Sequence, residues 1–392
     1  VDCTYPDKNL SGVGVAFKLC QALWQTIRQE DYEADLELVA LGTVADIVPL
    51  LGENRKIVSL GLQRMQDSTL PGIQALPRVA DLKDKTLNAG HIGFMLAPRL
   101  NAAGRMASAT AGTELLLTTN AARAETLAVQ LDQENLERQA VERDILAAAE
   151  AQLLTMDLSK EHVIVLSGEG WHPGVIGIVA SRIVEKYYRP TIIISEKDGI
   201  GKGSCRSIRG FHMYEALQSC QDLLLGFGGH AQAAGLSLEI TQLKSFCQAM
   251  NRYAEVHLQA EDYIPLIDIE FEMDPAEVTM PLIEEMHALE PYGMGNPKPK
   301  FGWRSLRGSY AQPIGKEHQH LRFRIETMQQ SITALAWNKG EYAGLVNAER
   351  LDLVYVPELN VWNGHTSIQC MIDDLSPARS ERVFPDHAML GR

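Results

Sequence analysis

The stretch that decides the fold is residues 162–195, HVIVLSGEGWHPGVIGIVASRIVEKYYRPTIIIS. It begins with an apolar, β-branched run over 162–166, continues through a helical pattern from Val175 to Tyr187, and ends in a second apolar run over 191–195. A strand, a helix and a strand at this spacing are typical of a parallel βαβ unit. The sequence therefore predicts an α/β domain in this region.

Upstream of this unit the sequence predicts helices. Apolar residues recur at three- and four-residue spacing over 14–28 and 35–45, and a third helical pattern ends near Met65. Residues 121–154 are rich in Ala, Leu, Glu, Gln and Arg, which predicts a helix of about 50 Å. Its largely polar surface favours a strut between two domains, and two helices joined at a bend are the alternative.

Downstream of Leu258 the pattern changes to short strands. Apolar residues alternate over 267–273, and Gly, Asn and Pro separate the later apolar runs. This pattern predicts a small β-barrel. The predicted strands lie near 320–327, 331–337, 351–356 and 367–372.

Composition limits the classes of protein that this chain could be. A length of 392 residues with 45% hydrophobic and 22% charged residues is typical of two or three folded domains. No apolar run is long enough to span a bilayer, and the six scattered cysteines form no zinc or disulfide pattern, so we expect a cytoplasmic protein with reduced thiols. The net charge of −14 means that any contact with nucleic acid must lie in local basic patches.

One acidic residue stands out in the helical region. Asp46 lies in the segment 42–50, GTVADIVPL, at the end of a buried helix that Pro49 prevents from continuing. An isolated Asp in this position is commonly a cap for the next turn. Because a carboxylate among apolar neighbours usually has a charged partner, a metal-ligand role is the second hypothesis.

Three further segments combine small residues with groups that bind anions. Small residues allow close backbone approach, and guanidinium, hydroxyl and imidazole groups bind phosphate oxygens. The alternatives are surface ion pairs for the arginines, a flexible basic loop before a helix near Phe211, and a structural donor role for the histidine. The segments are PRLNAAGR (98–105) with Arg99, Asn101 and Arg105, GKGSCRSIRG (201–210) with Lys202, Ser204 and Arg206, and FGGHAQAAG (227–235) with Gly228, Gly229 and His230.

Four motifs occur together and in order: GTVADIVP, RLNAAGR, WHPGVIGIVASR and GGHxxAAG. Together they resemble the RecJ family of single-strand-specific 5′-to-3′ exonucleases in the DHH phosphoesterase superfamily, over about residues 9–375. The resemblance implies an α/β multi-domain fold. The expected parts are the C-terminal part of a DHH phosphoesterase domain (1–115), a connecting helix (116–157), a DHH-associated α/β domain (158–260), an OB-fold β-barrel (261–376) and a tail (377–392).

The resemblance also implies two Mn²⁺ or Mg²⁺ ions. In that family they are held by an Asp-x-Asp pair, an Asp in Val-Asp-Asn-Gly, the Asp-His-His motif and the Asp of Val-Ala-Asp. Only the last has a counterpart here, which is Asp46. Two adjacent divalent ions repel and need several anionic ligands, so the sequence predicts a fragment that is inactive alone.

The remaining site residues follow from the same resemblance. Arg105, Ser204 and Arg206 match positions that form a pocket for the 5′-terminal phosphate in that family. His230 would contact the scissile or adjacent phosphate, and it and Asp46 are the two predicted catalytic residues. The OB-fold would bind single strands through aromatic and basic side chains, with core packing as the alternative for each tryptophan. The candidates there are Trp303, Arg304, Arg307, Trp337 and Trp362.

The predicted function is two-metal hydrolysis of single-stranded DNA from its 5′ end in repair and recombination. The implied partners are single-stranded DNA, a single-strand-binding protein and a helicase. One alternative is a DHH phosphodiesterase for short oligonucleotides or cyclic dinucleotides, which generally lacks an OB-fold. The other is a non-catalytic single-strand-binding protein.

Overall fold

The computed structural model describes residues 4–32, 34–106, 108–327 and 331–378, with Trp362 described only in its backbone. The helices are α1 (Gly12–Arg28), α2 (Leu36–Ala45), α3 (Gly52–Gln66), α4 (Pro71–Val79), α5 (Ala89–His91), α6 (Ala97–Met106), α7 (Thr110–Leu117), α8 (Ala121–Leu153), α9 (Ile176–Tyr187), α10 (Met213–Gln218), α11 (Leu243–His257), α12 (Met280–His287) and α13 (Ala343–Ala348). A π-helical turn, Ile92–Leu96, joins α5 to α6.

The strands form two sheets. They are β1 (Ile164–Glu169), β2 (Thr191–Lys197), β3 (Ile200–Arg206), β4 (Gly226–Gly229), β5 (Ala233–Glu239), β6 (Phe271–Glu272), β7 (Phe301–Ile314), β8 (His320–Glu326), β9 (Ser331–Ala336), β10 (Arg350–Trp362) and β11 (His365–Pro377).

The chain divides into two compact units. The α/β unit comprises Gly12–Asp46 and Leu60–Leu266, and the barrel unit comprises Val1–Ser11, Ile47–Ser59 and Ile267–Arg392. None of the helices within the described residues is long and apolar enough to cross a membrane.

The α/β unit contains a sheet of order β1-β2-β3-β5-β4. β1 and β2 are parallel, with Ile164 opposite Thr191, and α9 connects them, so the predicted βαβ unit is confirmed. The other strand pairs are antiparallel. Residues 200–206 form the central strand β3, so the alternative of a flexible basic loop is wrong for them, and the next helix begins at Met213 rather than near Phe211.

Two apolar layers cover the faces of this sheet. Ile192, Ile194 and Cys205 lie in one core cluster with side chains of α10 and α11. Ile193 lies in a second cluster with side chains of α9 and of the C-terminal half of α8. α9 and the end of α8 therefore cover the face opposite to α10 and α11.

Helix α8 is continuous over 33 residues, so the alternative of two helices joined at a bend is wrong. The side chain of Asn120 caps it by accepting a hydrogen bond from the Arg123 N–H. Its first half packs against α4, α6 and α7, and its second half packs against α9 and β1. Because it buries side chains along much of its length, it is part of the core of the α/β unit as well as a connection.

The barrel unit contains the predicted OB-like barrel, which confirms the fold class. β7, β8, β9, β11 and β10 follow one another around the sheet, and β10 also pairs with β7, which closes it. β9 and β11 are parallel, and α13 lies between β9 and β10 in sequence. Leu321, Phe323 and Tyr355 fill the interior.

Two parts of the barrel unit differ from the sequence prediction. The alternating residues 267–273 contribute only the two-residue strand β6, because their backbone pairs with β7 over just Phe271 and Glu272. The 14-residue strand β7 was missed, because its apolar alternation is interrupted. Its register with β8 shifts between Ser309 and Gln312, and closed barrels use such bulges to curve their strands.

Candidate phosphate-binding site

Strand β3 places three predicted phosphate-binding residues on one face of the sheet. Side chains alternate along a strand, so Lys202, Ser204 and Arg206 point away from the face that carries Cys205. Cys205 is fully buried in the cluster with α10 and α11. The three polar side chains therefore face the side that α9 covers.

The start of α9 lies directly against Ser204 and Arg206. A Cβ added at Gly177 would lie 2.8 Å from Ser204 Oγ and 3.1 Å from Arg206 Nη2. Arg206 donates hydrogen bonds to the carbonyl oxygen of Cys205 (2.8 Å) and to Ser204 Oγ (3.3 Å). A side chain at position 177 would displace the Ser204 hydroxyl and crowd the Arg206 guanidinium, so glycine leaves both groups in place at the amino end of a helix, where anions are favoured.

Arg105, at the end of α6, joins the same site. Its Nη1 donates to the carbonyl oxygen of Gly174, in the turn before α9, at 3.2 Å. Burial lowers the pKa of Arg206, and the positive charge of Arg105 lowers it further, so the two guanidinium groups lie within electrostatic range. Within the described residues no ion pair joins either one to a carboxylate. Two arginines without a carboxylate partner are suited to bind an anion.

Arg99 and Asn101, in the same segment, take other positions. Arg99 forms an ion pair with Asp132 on α8, with Nε and Oδ1 2.8 Å apart. It also donates to the carbonyl oxygen of Met95 in the π-helical turn at 2.6 Å. For Arg99 the structure favours the ion-pair alternative, since these bonds occupy its guanidinium. Asn101 is exposed on α6.

The GGH segment forms the end of β4 and the turn that follows. Gly229 has φ 147°, in a region that favours glycine, and a Cβ there would lie 2.4 Å from the carbonyl oxygen of Ala233. His230 is exposed, and its Nδ1 accepts a hydrogen bond from the Gln232 N–H at 3.3 Å. In the neutral imidazole this leaves the proton on Nε2, which can donate to a phosphate oxygen. Gly228 is exposed next to them.

Asp46 follows the last residue of α2 and is exposed. Its backbone N–H donates to the carbonyl oxygen of Gly42, and within the described part of the chain its carboxylate accepts no hydrogen bond and forms no ion pair. The geometry therefore does not favour a cap for the next turn. α2 packs against the π-helical turn and α6, the helix that carries Arg105.

One carboxylate does not make a site for two divalent ions. Across residues 4–378, as far as these are described, no group of three or more His, Cys, Asp or Glu side chains could hold a metal ion. The chemistry of Asp46 suits a hard cation, but a binuclear centre needs ligands beyond this set.

The predicted DNA-binding residues of the barrel unit are dispersed. Trp303 is half-buried and packs against the barrel core, which favours the packing alternative. Arg304 Nη2 lies 2.7 Å from Glu272 Oε1. Arg307 is exposed on β7 opposite Glu326, and Trp337 is 55% exposed after β9. The side chain of Trp362 lies outside the described residues.

Trp303 and Arg304 line a groove of about 380 Å³ whose charge is unsuitable for a phosphate backbone. Three carboxylates share its lining with a single guanidinium group. Glu272 pairs with Arg304, so the single lining guanidinium already has a carboxylate partner and is poorly placed to hold a phosphate backbone. The acidic lining residues are Glu272, Asp352 and Asp374.

Sequence reasoning missed several residues that shape the sites. Gly174 and Gly177 lie in the WHPGVIGIVASR motif, whose two glycines before and within a helix were the available signal. On the barrel, Tyr310, Arg322 and Arg324 are exposed, and the strict alternation over 320–326 could have identified the two arginines as outward-facing.

Comparison with known proteins agrees with this architecture. The family model described as the DHHA1 domain matches residues 160–256, and the RecJ OB domain model matches residues 269–374. A single-stranded-DNA-specific exonuclease RecJ of Bacillus subtilis is 38% identical over 98% of this chain, which spans 50% of that relative. The Salmonella typhimurium protein of the same name is 35% identical over 96% of this chain and 69% of its own length.

The fold is also similar to a solved structure. A crystal structure of RecJ from Thermus thermophilus in complex with Mg²⁺ superimposes with a TM-score of 0.84 and 32% identity, covering 97% of this chain and 57% of the other. Another from the same organism contains Mn²⁺. The chain thus spans about half to two thirds of the length of these relatives. By its sequence identity across nearly its whole length, the chain belongs to the RecJ family, whose members are named single-stranded-DNA-specific exonucleases.

Proposed function

We propose that this chain is part of a metal-dependent exonuclease that degrades single-stranded DNA from the 5′ end, in DNA repair and recombination. The observation that supports this proposal best is the convergence of Arg105, Ser204 and Arg206 at the start of α9. In this proposal Asp46 would be one ligand of Mn²⁺ or Mg²⁺, and the bound metal would supply an activated water.

A terminal phosphate suits this site better than an internal one. A phosphate monoester carries a charge of about −1.5 to −2 at neutral pH, whereas an internal phosphodiester carries one negative charge. Two uncompensated guanidinium groups and a hydroxyl therefore favour the terminal group. Anchoring the 5′ end in this way would determine the direction of degradation, with His230 contacting a neighbouring phosphate.

The barrel and the phosphate site together separate this proposal from its alternatives. A phosphodiesterase for short or cyclic dinucleotides needs no surface for a longer strand. A non-catalytic single-strand-binding protein needs no site that recognises a chain end. A single-strand-binding protein and a helicase as partners, and a cytoplasmic location, remain predictions from the sequence.

We expect the chain to bind a 5′-phosphorylated single-stranded oligonucleotide at least about tenfold more tightly than the 5′-hydroxyl form, because charge-assisted hydrogen bonds contribute about 1.5–3 kcal/mol. Fluorescence anisotropy with a 3′ label measures both affinities. A 3′-phosphorylated, 5′-hydroxyl strand controls for total charge. Equal affinities for all three strands would contradict a terminal-phosphate site and favour the non-catalytic alternative.

We propose that the outer face of β8 carries the strand beyond its 5′ end. Leu321, Phe323 and Ile325 point into the barrel, so Arg322 and Arg324 point outward. The Arg324 guanidinium lies 5.4 Å from the ring centre of Tyr310, which is 76% exposed. β8 and β9 are the second and third strands of the barrel, the face on which OB-folds bind oligonucleotides.

Aromatic rings at both ends of β8 support this assignment. Tyr310 has φ 52° at the β7 bulge, which turns its side chain outward beside Arg324. At the other end of β8 the rings of His320 and Trp337 pack edge to face, with their centroids 4.5 Å apart. Exposed aromatic rings on either side of two arginines provide stacking surfaces for bases and cations for the backbone.

The double variant R322Q/R324Q should bind single strands more weakly than the wild-type chain, and its affinity should depend less on salt concentration. Each lost phosphate contact should lower the slope of log K against log salt concentration by about 0.7. Because both side chains are exposed, the melting temperature should not change. R304Q, which removes an arginine paired with Glu272, is the matched control and should retain the wild-type slope. An unchanged slope in R322Q/R324Q would remove this face from the proposal.

A further inference from the structure

Helix α8 carries a buried polar cluster close to the proposed phosphate site. Asn135, Arg138 and Glu142 lie three and then four residues apart, on one face of the helix, and are 2%, 8% and 8% exposed. Arg138 Nη2 donates to Asn135 Oδ1 at 2.8 Å, and its Nη1 donates to Glu142 Oε2. A buried guanidinium needs such partners, because an isolated charge in the interior is unfavourable.

Glu142 also contacts α9, the helix that begins at the phosphate site. Arg182 Nε donates to Glu142 Oε1 at 3.3 Å, and Arg182 has a second carboxylate partner in Glu185, also at 3.3 Å. Arg138 differs, since Glu142 is its carboxylate partner among the described ion pairs. Loss of Glu142 would therefore affect Arg138 more than Arg182.

Arg105 connects this cluster to the phosphate site. Its neighbour Met106 packs in the same apolar cluster as Val141 and Ile145 of α8, which places the end of α6 beside the turn of α8 that carries the polar cluster. Burial lowers the pKa of Arg138, Glu142 raises it, and the positive charge of Arg105 lowers it. Arg105 thus lies within electrostatic range of both Arg138 and Arg206.

The charges of these groups are distributed unevenly. On α8 the negative charge of Glu142 offsets the positive charge of Arg138. At the start of α9, no described ion pair offsets the charge of Arg105 or Arg206. Without Glu142, the buried charge of Arg138 would no longer be offset and would repel Arg105. Arg105 is exposed and is held toward Gly174 by a single hydrogen bond, so it is the group that would move.

We propose that Glu142 is a positioning residue that neutralises Arg138 and thereby keeps Arg105 directed at the terminal phosphate. This inference rests on the proposed phosphate site, but it concerns residues on α8 that need not contact DNA. Its distinctive consequence is that removing Arg138 should cancel the effect of removing Glu142. A residue that merely stabilised the fold would not behave in this way.

The test compares E142Q, R138M and R138M/E142Q with the wild-type chain. The readout is the ratio of dissociation constants for 5′-hydroxyl and 5′-phosphorylated strands. We expect E142Q to lower this ratio at least about fivefold, and R138M/E142Q to restore it to within about twofold of wild type, since a buried ion pair can be replaced by uncharged side chains. E150Q is the matched control, because Glu150 also joins α8 to α9, through Lys186 at 2.5 Å.

A wild-type ratio in E142Q, or no recovery in the double variant, would overturn the inference. If E142Q does not fold, R138M and R138M/E142Q decide the matter, because neither contains an unpaired buried arginine. Equal ratios in these two variants support action through Arg138, and a lower ratio in the double variant overturns it.

Crystal structures separate this inference from the proposed function. In E142Q the hydrogen bond between Arg105 Nη1 and the Gly174 carbonyl oxygen should be lost, and in R138M/E142Q it should return. If wild type shows no preference for a 5′-phosphate, the phosphate site is refuted, and movement of Arg105 in E142Q still supports its positioning by Glu142. If the preference exists and Arg105 does not move in E142Q, the inference fails and the phosphate site remains.

Discussion

Replacing Asp46 by Asn should lower the nuclease rate by on the order of a thousandfold in a version of the protein that also carries an Asp-His-His region. A metal ligand contributes several kcal/mol to stabilisation of the transition state, and about 1.4 kcal/mol corresponds to tenfold in rate. Asn preserves the shape of the side chain but removes its charge. Measurement of mononucleotide release with Mn²⁺ gives the rate.

The same variant should bind DNA and unfold like the wild-type protein. Asp46 is exposed, and its carboxylate accepts no hydrogen bond among the described residues, so folding does not depend on its charge. Single-strand affinity and melting temperature should therefore change little. D81N is a suitable control, since Asp81 is an exposed carboxylate at φ 56°, a conformation that Asn also adopts. Near-normal cleavage by D46N would exclude Asp46 as a metal ligand.

The second large effect is expected for Arg206→Ala. Arg206 is the half-buried cation of the phosphate site, and its removal should reduce the affinity for 5′-phosphorylated strands by about tenfold or more. The affinity for 5′-hydroxyl strands should fall much less, so the preference should nearly disappear. Anisotropy with both strands measures this ratio.

Stability distinguishes this effect from unfolding. Burial and the charge of Arg105 both lower the pKa of Arg206, so its positive charge is not a source of fold stability. The melting temperature of R206A should therefore stay near that of wild type. R209A, which removes an exposed arginine three residues later, should retain the preference. A retained preference in R206A, or equal losses in R206A and R209A, would contradict the assignment.

Several features of the fold followed from local patterns. The βαβ unit, α2 and the barrel strand near 320–327 depend on the periodicity of apolar residues, which the sequence displays directly. β7 did not follow, because its bulges interrupt the alternation and its pairing with β10 joins distant parts of the chain. Residues 200–206 gave no strand signal because Gly, Lys and Ser are common in loops, yet pairing with the two neighbouring strands β2 and β5 makes them a strand.

The sequence predicted which residues belong to the candidate site, but not how they are arranged. Three of the proposed phosphate ligands were identified from motifs, while Arg99 proved to be occupied by Asp132 and the Met95 carbonyl oxygen. A motif specifies which groups are present. Whether a guanidinium meets a carboxylate depends on helices that pack together from distant positions, as α6 and α8 do.

The sequence by itself determined the α/β architecture, the barrel, the family and the set of candidate anion-binding side chains, since these depend on residue type and on periods of two or three to four residues. Only the tertiary structure decided that Gly177 of α9 lies against Ser204 and Arg206, and that Arg105 bonds to the turn before α9 within electrostatic range of Arg206 and Arg138. The physical reason is that electrostatic interactions act through space over several ångströms, whereas the order of residues specifies only neighbours along the chain.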